Sequence, residues 1–569
     1  MSNPLPKVDV LIIGLGAAGG MAAYALTKAG IKVTGLEAGP YWDLKDIMAH
    51  YDERQSGWDG APKYRGEIPT WRPDVNSAVQ KPPSPAHMMA NMVGGTTNHY
   101  GTQNWRFRAD DFTVYSSTVE KYGEEALPEG HAIVDWPITH DELEPYYDQV
   151  EYLIGVSGKA GNIEGEIVEG GNPFESPRQR EFPLPPVQRA GYVTMAEEAM
   201  AELGYHPFPQ PTAVLSQPYD DRPACTYCSF CSQGCWNDSK SSTRVSAIRK
   251  AEATGLLEIR PNSRVMKILS NDKGQVTGVE YLDADGNLQE QPAAVVILAS
   301  YIYENNRLLM LSTSDYYPNG LSNNAGQVGK YYMSHAYVNR NALFEGKRLN
   351  LWGGFSGQAV AMDDLNGDNF DHTGLGFIRG GVIFAQTGAL PINAARASVP
   401  GAPKWGSAYK QWIVKNGDSV GNLLAQVEPL AYQDHLLDLD PTAKDPLGVP
   451  ILRVAWKYHE NEKKATAYID QKLAEIFDAM GATKSFNTWA PPGSEVPINS
   501  HAYGGTRMGP DEASSVVNKY GLSHEAPNLM VLGGSTFPAS SGYNPTETIE
   551  ALALFACDYL AKNFDDIAV

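Results

Sequence analysis

Long apolar runs are missing from this chain. None of its 569 residues belongs to an uninterrupted apolar stretch of about 20, the length a membrane-spanning helix requires, so none is expected. The opening MSNPLPKVDVLIIG has no charged region followed by an apolar segment and a small-residue cleavage site, so it does not read as an export signal. Basic residues are also scarce: 45 Lys and Arg against 66 Asp and Glu leave a net charge of −21. A nucleic-acid backbone calls for a basic footprint, and this composition argues against that partner. Internal repeats and low-complexity tracts are absent, which sets aside solenoids and disordered tails. There are five cysteines, four of them within residues 225–235, which is too local for a disulfide framework in a chain of this size. The fifth, Cys557, lies in the apolar run IEALALFACDYL and reads as a core thiol.

What is present suits a globular protein. Hydrophobic residues make up 42% and charged residues 20%, and the length allows two to four domains and a core able to enclose a cofactor. VDVLII, residues 8–13, is β-branched and apolar, as a buried strand is. A glycine-rich turn, an Ala- and Met-rich helix and the strand IKVTGLEA follow, which makes a β-α-β unit. Residues 40–90 and 160–220 read as irregular excursions. Strand signals return over 258–300, with DADG marking a hairpin turn. A helix is expected over about 459–480, where Ala465, Ile469, Leu473 and Ile476 recur at helical spacing, and another over about 546–562. Glycine motifs cluster at both ends and in the middle. The expected organisation is therefore an α/β cofactor domain assembled from residues 1–330 and 495–569, with a second domain inserted at 331–494.

The turn Gly14-Leu15-Gly16-Ala17-Ala18-Gly19 lies between the first strand and its helix, and Glu37-Ala38 ends the next strand. In such a motif the first glycine permits the tight turn, the second lets backbone approach a pyrophosphate, and the third lets helix and strand pack closely. The helix N-terminus offers unpaired N–H groups to phosphate, and Glu37 would accept from ribose hydroxyls and repel a 2′-phosphate. The motif alone does not separate FAD from NAD.

Cys225-x2-Cys228-x2-Cys231-x3-Cys235 has ligand spacing. Thiolates this close hold soft metals or iron–sulfur clusters, and the spacing equals a bacterial ferredoxin run except that Trp236 replaces the following proline. A [4Fe–4S] cluster and a structural zinc both remain open on spacing alone.

The position of the dinucleotide turn, GLEAGP at 35–40, VGGTTNHY at 93–100, the motif NSHAYGGTRMG at 499–509 and NLMVLGGSTFPASSGYNPTETIEALAL at 528–554 together resemble the glucose-methanol-choline (GMC) oxidoreductases, in particular their bacterial sugar dehydrogenase branch. The resemblance implies a Rossmann-like FAD-binding domain of the GMC type with an inserted substrate domain containing an antiparallel sheet. It implies FAD as cofactor and the oxidation of a secondary or hemiacetal hydroxyl of a sugar, sugar acid or polyol. His501 matches the family's base, and Asn544 the polar partner that orients the alcohol. Gly94, Gly95, Thr96, Asn98 and His99 match the loop over the flavin, where His99 falls at the place of a histidine that some members attach covalently. Val265, Gly533, Asn544, Pro545 and Thr546 match further cofactor contacts. The same branch implies a [3Fe–4S] cluster on Cys225, Cys231 and Cys235, with Cys228 extra or a fourth ligand. It also implies a small subunit bearing the export signal, a cytochrome c subunit as acceptor, a periplasmic location reached with a partner, and membrane contact only through partners. An oxygen-using sugar or glycoside oxidase, an NAD-dependent dehydrogenase with structural zinc, and a cytoplasmic location stand as alternatives.

Overall fold

The computed structural model describes residues 5–49, 68–79, 89–388, 390–392, 399–487 and 500–569. Asn499 and parts of the stretches expected to be irregular at 40–90 and inserted at 331–494 lie outside the described residues. The first strand, Val8–Ile13, pairs in parallel with Val33–Leu36 on one side and with the second half of Leu288–Leu298 on the other. Leu257–Arg260 and Leu529–Val531 complete the parallel set at its two edges. Helices cover this sheet, so its central strands are apolar on both faces, with Val10, Leu11 and Ile12 fully buried. The first half of Leu288–Leu298 instead forms the expected hairpin with Val276–Leu282, closed through residues 283–287.

A six-stranded antiparallel sheet forms the second body. Its order is Lys484–Asn487, Ala336–Leu343, Val420–Val427, Gly381–Gln386, Ala359–Met362 and Phe208–Pro209. Strand alternation divides its two faces. Val338, Ile383, Leu423 and Ala425 pack against the helices Gly191–Glu202 and Glu460–Ala479. The alternate residues Tyr337, Phe384, Gln386, Leu424 and Gln426 line an internal cavity. A third sheet, in the order Ala502–Gly505, Lys330–Ser334, Leu436–Lys444, Pro450–Ala455, Thr70–Arg72, runs between the two bodies. Its strand Lys330–Ser334 is separated from the six-stranded sheet by one residue, His335.

Helices expected over about 459–480 and 546–562 span Glu460–Ala479 and Thr546–Lys562. The second packs on the dinucleotide helix Ala17–Lys28 and on His140–Ile154. Its first turn is tied down by buried polar contacts: Asn104 Nδ2 donates to Glu547 at 2.7 Å, and nearby Arg106 forks onto Glu151 at 2.7 and 2.8 Å. Cys557 is fully buried in this helix.

Candidate active site

A cavity of about 410 Å³ lies where the parallel sheet, the six-stranded sheet and the C-terminal segment meet. At one end it is lined by Gly14, Gly16, Ala17, Ala18, Glu37 and Ala38. Gly14 adopts φ +87°, and a Cβ there would lie 2.8 Å from the Ala299 carbonyl oxygen. A Cβ on Gly19 would lie 1.9 Å from the Gly14 oxygen, so Gly19 serves helix-on-turn packing and does not line the cavity. Gly16 is open: nothing stands closer to an added Cβ than the Gly95 Cα at 4.0 Å. No side chain caps the helix that Gly16 starts, and its first residues, Ala17 and Ala18, line the cavity. The helix Thr546–Lys562, also without a side-chain cap, brings Pro545 and Thr546 to the same space. Two helix N-termini with orphan amide donors thus converge on one cavity, as a dinucleotide's phosphates require. The residues present therefore fit FAD.

Glu37 is buried, and its two oxygens accept from Leu15 N and Gly39 N, each at 3.0 Å. Burial pushes its carboxyl up to about 7, against the opposing pull of those backbone donors. Each oxygen keeps a further lone pair for a ribose hydroxyl. Val265 and Gly533 line the cavity, and so do Gly95 and Thr96 from the glycine loop. Gly94, Asn98 and His99 do not. Asn98 staples the loop from behind, donating to Val93 O at 2.9 Å and Gly95 O at 3.1 Å, and His99 is buried.

His501 and Asn544 lie together in the same cavity, with His501 Nε2 and Asn544 Nδ2 3.1 Å apart. Trp105 Nε1 and Gln426 Nε2 donate to Asn544 Oδ1 at 3.1 and 2.8 Å, which fixes the amide orientation. On the far side of the His501 ring, Nδ1 lies 2.9 Å from His335 Nδ1 and 2.5 Å from the Tyr337 hydroxyl. Burial, and then His335, holds the His501 pKa well below its ordinary 6.5. Arg507, close to His501 in sequence, is used elsewhere: it donates to Ser514 O and Ala132 O and lies over the Tyr331 ring. Sequence reading passed over His335, Tyr337, Trp105 and Gln426. The alternation of Leu424 and Gln426 along their strand is the local signal that could have marked an inward-facing amide.

The four cysteines line a small separate hollow with Asn237, Ser239 and Lys240. Backbone N–H groups donate to two of the sulfurs, Tyr227 N to Cys225 at 3.3 Å and Lys240 N to Cys235 at 3.4 Å. Tyr227 and Ser229 have positive φ, and Gly234 reaches +120°, so the loop coils on itself. The buried Lys240 Nζ joins this loop to the large cavity, donating to Cys231 O at 2.6 Å and to the carbonyl of the cavity residue Tyr100 at 3.2 Å.

Fold and site together define a dinucleotide-binding oxidoreductase whose reaction chamber is closed by a second, antiparallel body. Family models described as GMC oxidoreductase match residues 197–336 and 437–553. The gluconate 2-dehydrogenase flavoprotein of Pantoea cypripedii is 31% identical over 99% of this chain and 95% of its own length. The 2-methyl-1,2-propanediol dehydrogenase of Mycolicibacterium austroafricanum is 31% identical over 100% and 97%. Among solved structures, Aspergillus oryzae formate oxidase superposes with a TM-score of 0.66 at 15% identity, covering all of both chains. The chain belongs to the GMC oxidoreductase family, and is an FAD-dependent oxidoreductase acting on CH–OH donors.

Proposed function

We propose that this enzyme is a dehydrogenase that oxidises a secondary or hemiacetal hydroxyl of a neutral sugar or polyol, with His501 as base and Asn544 orienting the alcohol. The observation that carries the reading is the 3.1 Å pairing of His501 Nε2 with Asn544 Nδ2 in the cavity that also holds the dinucleotide turn. An alcohol becomes a carbonyl by losing its hydroxyl proton and a hydride from carbon, and FAD, when bound, supplies the hydride acceptor at N5. His501 Nε2 takes the proton, while Asn544 Nδ2 donates to the substrate oxygen and so directs the C–H bond. The buried ring is neutral at pH 7 and ready to accept.

Substrate class follows from the lining. Gln103, Tyr337, Ser356, Gln386, Gln426 and Ser500 bring amides and hydroxyls to the cavity that holds His501, and Phe384 and Leu424 add apolar wall. Among the described lining residues the one basic side chain is Arg264, beside Val265 at the Glu37 end. A carboxylate clamp is therefore lacking among them, and a neutral polyhydroxylated substrate is favoured over an aldonate. A panel of sugars, polyols and aldonates assayed with a dye acceptor tests this. Turnover confined to aldonates would overturn the neutral-substrate reading, and failure on every carbohydrate and polyol would overturn the class.

Cys225, Cys231 and Cys235, with Cys228 beside them, would hold an iron–sulfur cluster, [3Fe–4S] ahead of [4Fe–4S], which supplies one-electron acceptance. Ligand spacing, the N–H donors aimed at two sulfurs, and the closeness of this loop to the cavity, which Ser232 lines and Lys240 bridges, support it. The acceptor in this reading is a cytochrome c subunit, and a small subunit carries the export signal that places the complex in the periplasm. Co-purification of both subunits from fractionated cells tests the assembly, and activity with air equal to that with dye would favour an oxidase instead.

A further inference from the structure

We propose that His335 is a positioning residue that fixes the tautomer of His501, forcing the ring proton onto Nδ1 and leaving Nε2 as a lone pair facing the cavity. The inference rests on the reading of His501 as base and goes beyond it by naming what prepares that base.

The argument is a count of protons along one hydrogen-bonded line. His335 is fully buried at the junction between the third sheet and the six-stranded sheet. Its Nε2 lies 2.6 Å from the carbonyl oxygen of Ser541, which can only accept. His335 Nε2 therefore carries a hydrogen. Burial lowers the His335 pKa to about 4, so at neutral pH the ring has one proton and its Nδ1 is an acceptor. That Nδ1 stands 2.9 Å from His501 Nδ1, a distance that needs one hydrogen between the two nitrogens. The hydrogen belongs to His501. His501, neutral as well, is then bare at Nε2, where Asn544 Nδ2 donates at 3.1 Å. The opposite tautomer would set two lone pairs against each other on one side of His501 and two N–H groups on the other. Turning the His335 ring over would put carbon at both contacts, so the ring is fixed as well.

The far end of the line is anchored. Ser541 Oγ donates to Asp111 Oδ2 at 2.8 Å, and Asp111 is paired with Arg379 at 2.5 Å, which holds the Ser541 backbone in place. The Tyr503 hydroxyl lies 3.3 Å from His335 Nδ1 and its ring meets His335 edge-on, packing the imidazole in place. Tyr337 lies on the cavity side of His501 Nδ1 and its oxygen can share that N–H as a second acceptor.

Three substitutions separate a tautomer role from bulk. In His335→Asn the amide oxygen replaces Nδ1 and can still accept from His501. In His335→Gln the amide reaches toward Ser541 instead, and in His335→Phe both contacts are lost. Purified holoenzymes are mixed with substrate in a stopped-flow spectrometer, and flavin bleaching, flavin content and thermal midpoint are recorded. The proposal expects His335→Asn to bleach within about 10-fold of wild type, and His335→Gln and His335→Phe to lose up to about 10⁴-fold, the scale of a wrong-tautomer histidine, with flavin content unchanged. Should His335→Phe fail to fold, the Asn and Gln variants decide alone. Equal rates in those two would overturn the proposal. His501→Ala sorts the two readings. A nearly normal rate there removes His501 as base, whereas an inactive His501→Ala beside fully active His335 variants overturns the tautomer role only.

Discussion

Gln426 donates through Nε2 to the side-chain oxygen of Asn544 at 2.8 Å, so the six-stranded sheet orients a residue of the C-terminal segment. Trp105 donates to the same oxygen, and its ring stacks on Tyr543 at 4.7 Å, the neighbour of Asn544. With both lone pairs of that oxygen occupied, the amide nitrogen is left for His501 and substrate. The irregular segment carrying Trp105, the six-stranded sheet and the C-terminal segment thus each contribute to the aim of one amide.

Replacing Asn544 with Asp keeps the shape and removes the donor. Trp105 and Gln426 can still donate to one carboxylate oxygen, and the other faces His501 Nε2. Two acceptors in contact draw a proton between them, which occupies the site where the alcohol proton must go. Asn544→Asp is expected to retain FAD and lose about 10² to 10⁴-fold in flavin reduction, the range assigned to acid–base catalysis. Stopped-flow bleaching with a turned-over substrate measures it, and a loss under 10-fold would remove Asn544 from the reading.

The pH dependence has a defined sign. His501 works deprotonated, so activity is full on the alkaline side and falls as pH drops through the pKa of the folded site. Burial and the neighbouring His335 hold that pKa well below 6.5. The acid limb of kcat/KM in the dye assay is therefore expected below pH 6.5, and in Asn544→Asp it moves upward, because a carboxylate favours the charged ring. An acid limb of the wild-type enzyme above 6.5 would contradict the neutral buried base.

Legibility in the sequence followed locality. The strand Val8–Ile13, the turn to Gly19 and Glu37 are neighbours in the chain, and their roles are fixed by a few consecutive residues. The two late helices were legible for the same reason, since their apolar periodicity is internal to each. His335 was not. Its meaning comes from a ring 166 positions away and a carbonyl 206 positions away, and nothing in MSHAYV marks it. Arg507 shows the converse: it is close to His501 in sequence, yet the strand Ala502–Gly505 and the turn after it carry its side chain to Ser514 and Ala132. The composition of the chamber wall was hidden because alternate residues of three strands supply it, and register between strands is a tertiary property.

The two glycines of the turn separate folding from cofactor binding. A methyl on Gly19 collides with the Gly14 carbonyl at 1.9 Å, and because that neighbour is backbone there is no cheap relief. Gly19→Ala is expected to cost about 3 kcal/mol or more and to lower the thermal midpoint of the apoprotein. Gly16 has φ −81°, ψ −146° and free space in front of it, so Gly16→Ala meets no clash and should lower the apoprotein midpoint far less than Gly19→Ala. Its methyl instead fills the approach to the pyrophosphate and lowers flavin content. Calorimetry of the apoproteins beside flavin titrations reads both effects, and equal destabilisation of the two variants would contradict the division of roles.

The cysteine loop yields a prediction that is independent of turnover. If Cys225, Cys231 and Cys235 hold a three-iron cluster, serine at any one of them removes most of the iron and acid-labile sulfide, while Cys228→Ser keeps both. The backbone of Cys228 is occupied differently from the others, pairing with Gly354, and the next residue, Ser229, donates to the Gly354 and Trp352 carbonyls, so this residue joins the loop to the 351–354 turn. An oxidised [3Fe–4S] cluster is paramagnetic and an oxidised low-potential [4Fe–4S] cluster is not, so EPR of the oxidised protein distinguishes them. A signal retained in Cys228→Ser and lost in Cys231→Ser supports three ligands. Loss of iron in all four variants, with an EPR-silent oxidised wild type, would instead make Cys228 a ligand of a four-iron cluster. Zinc in place of iron would end the electron-transfer role of the loop.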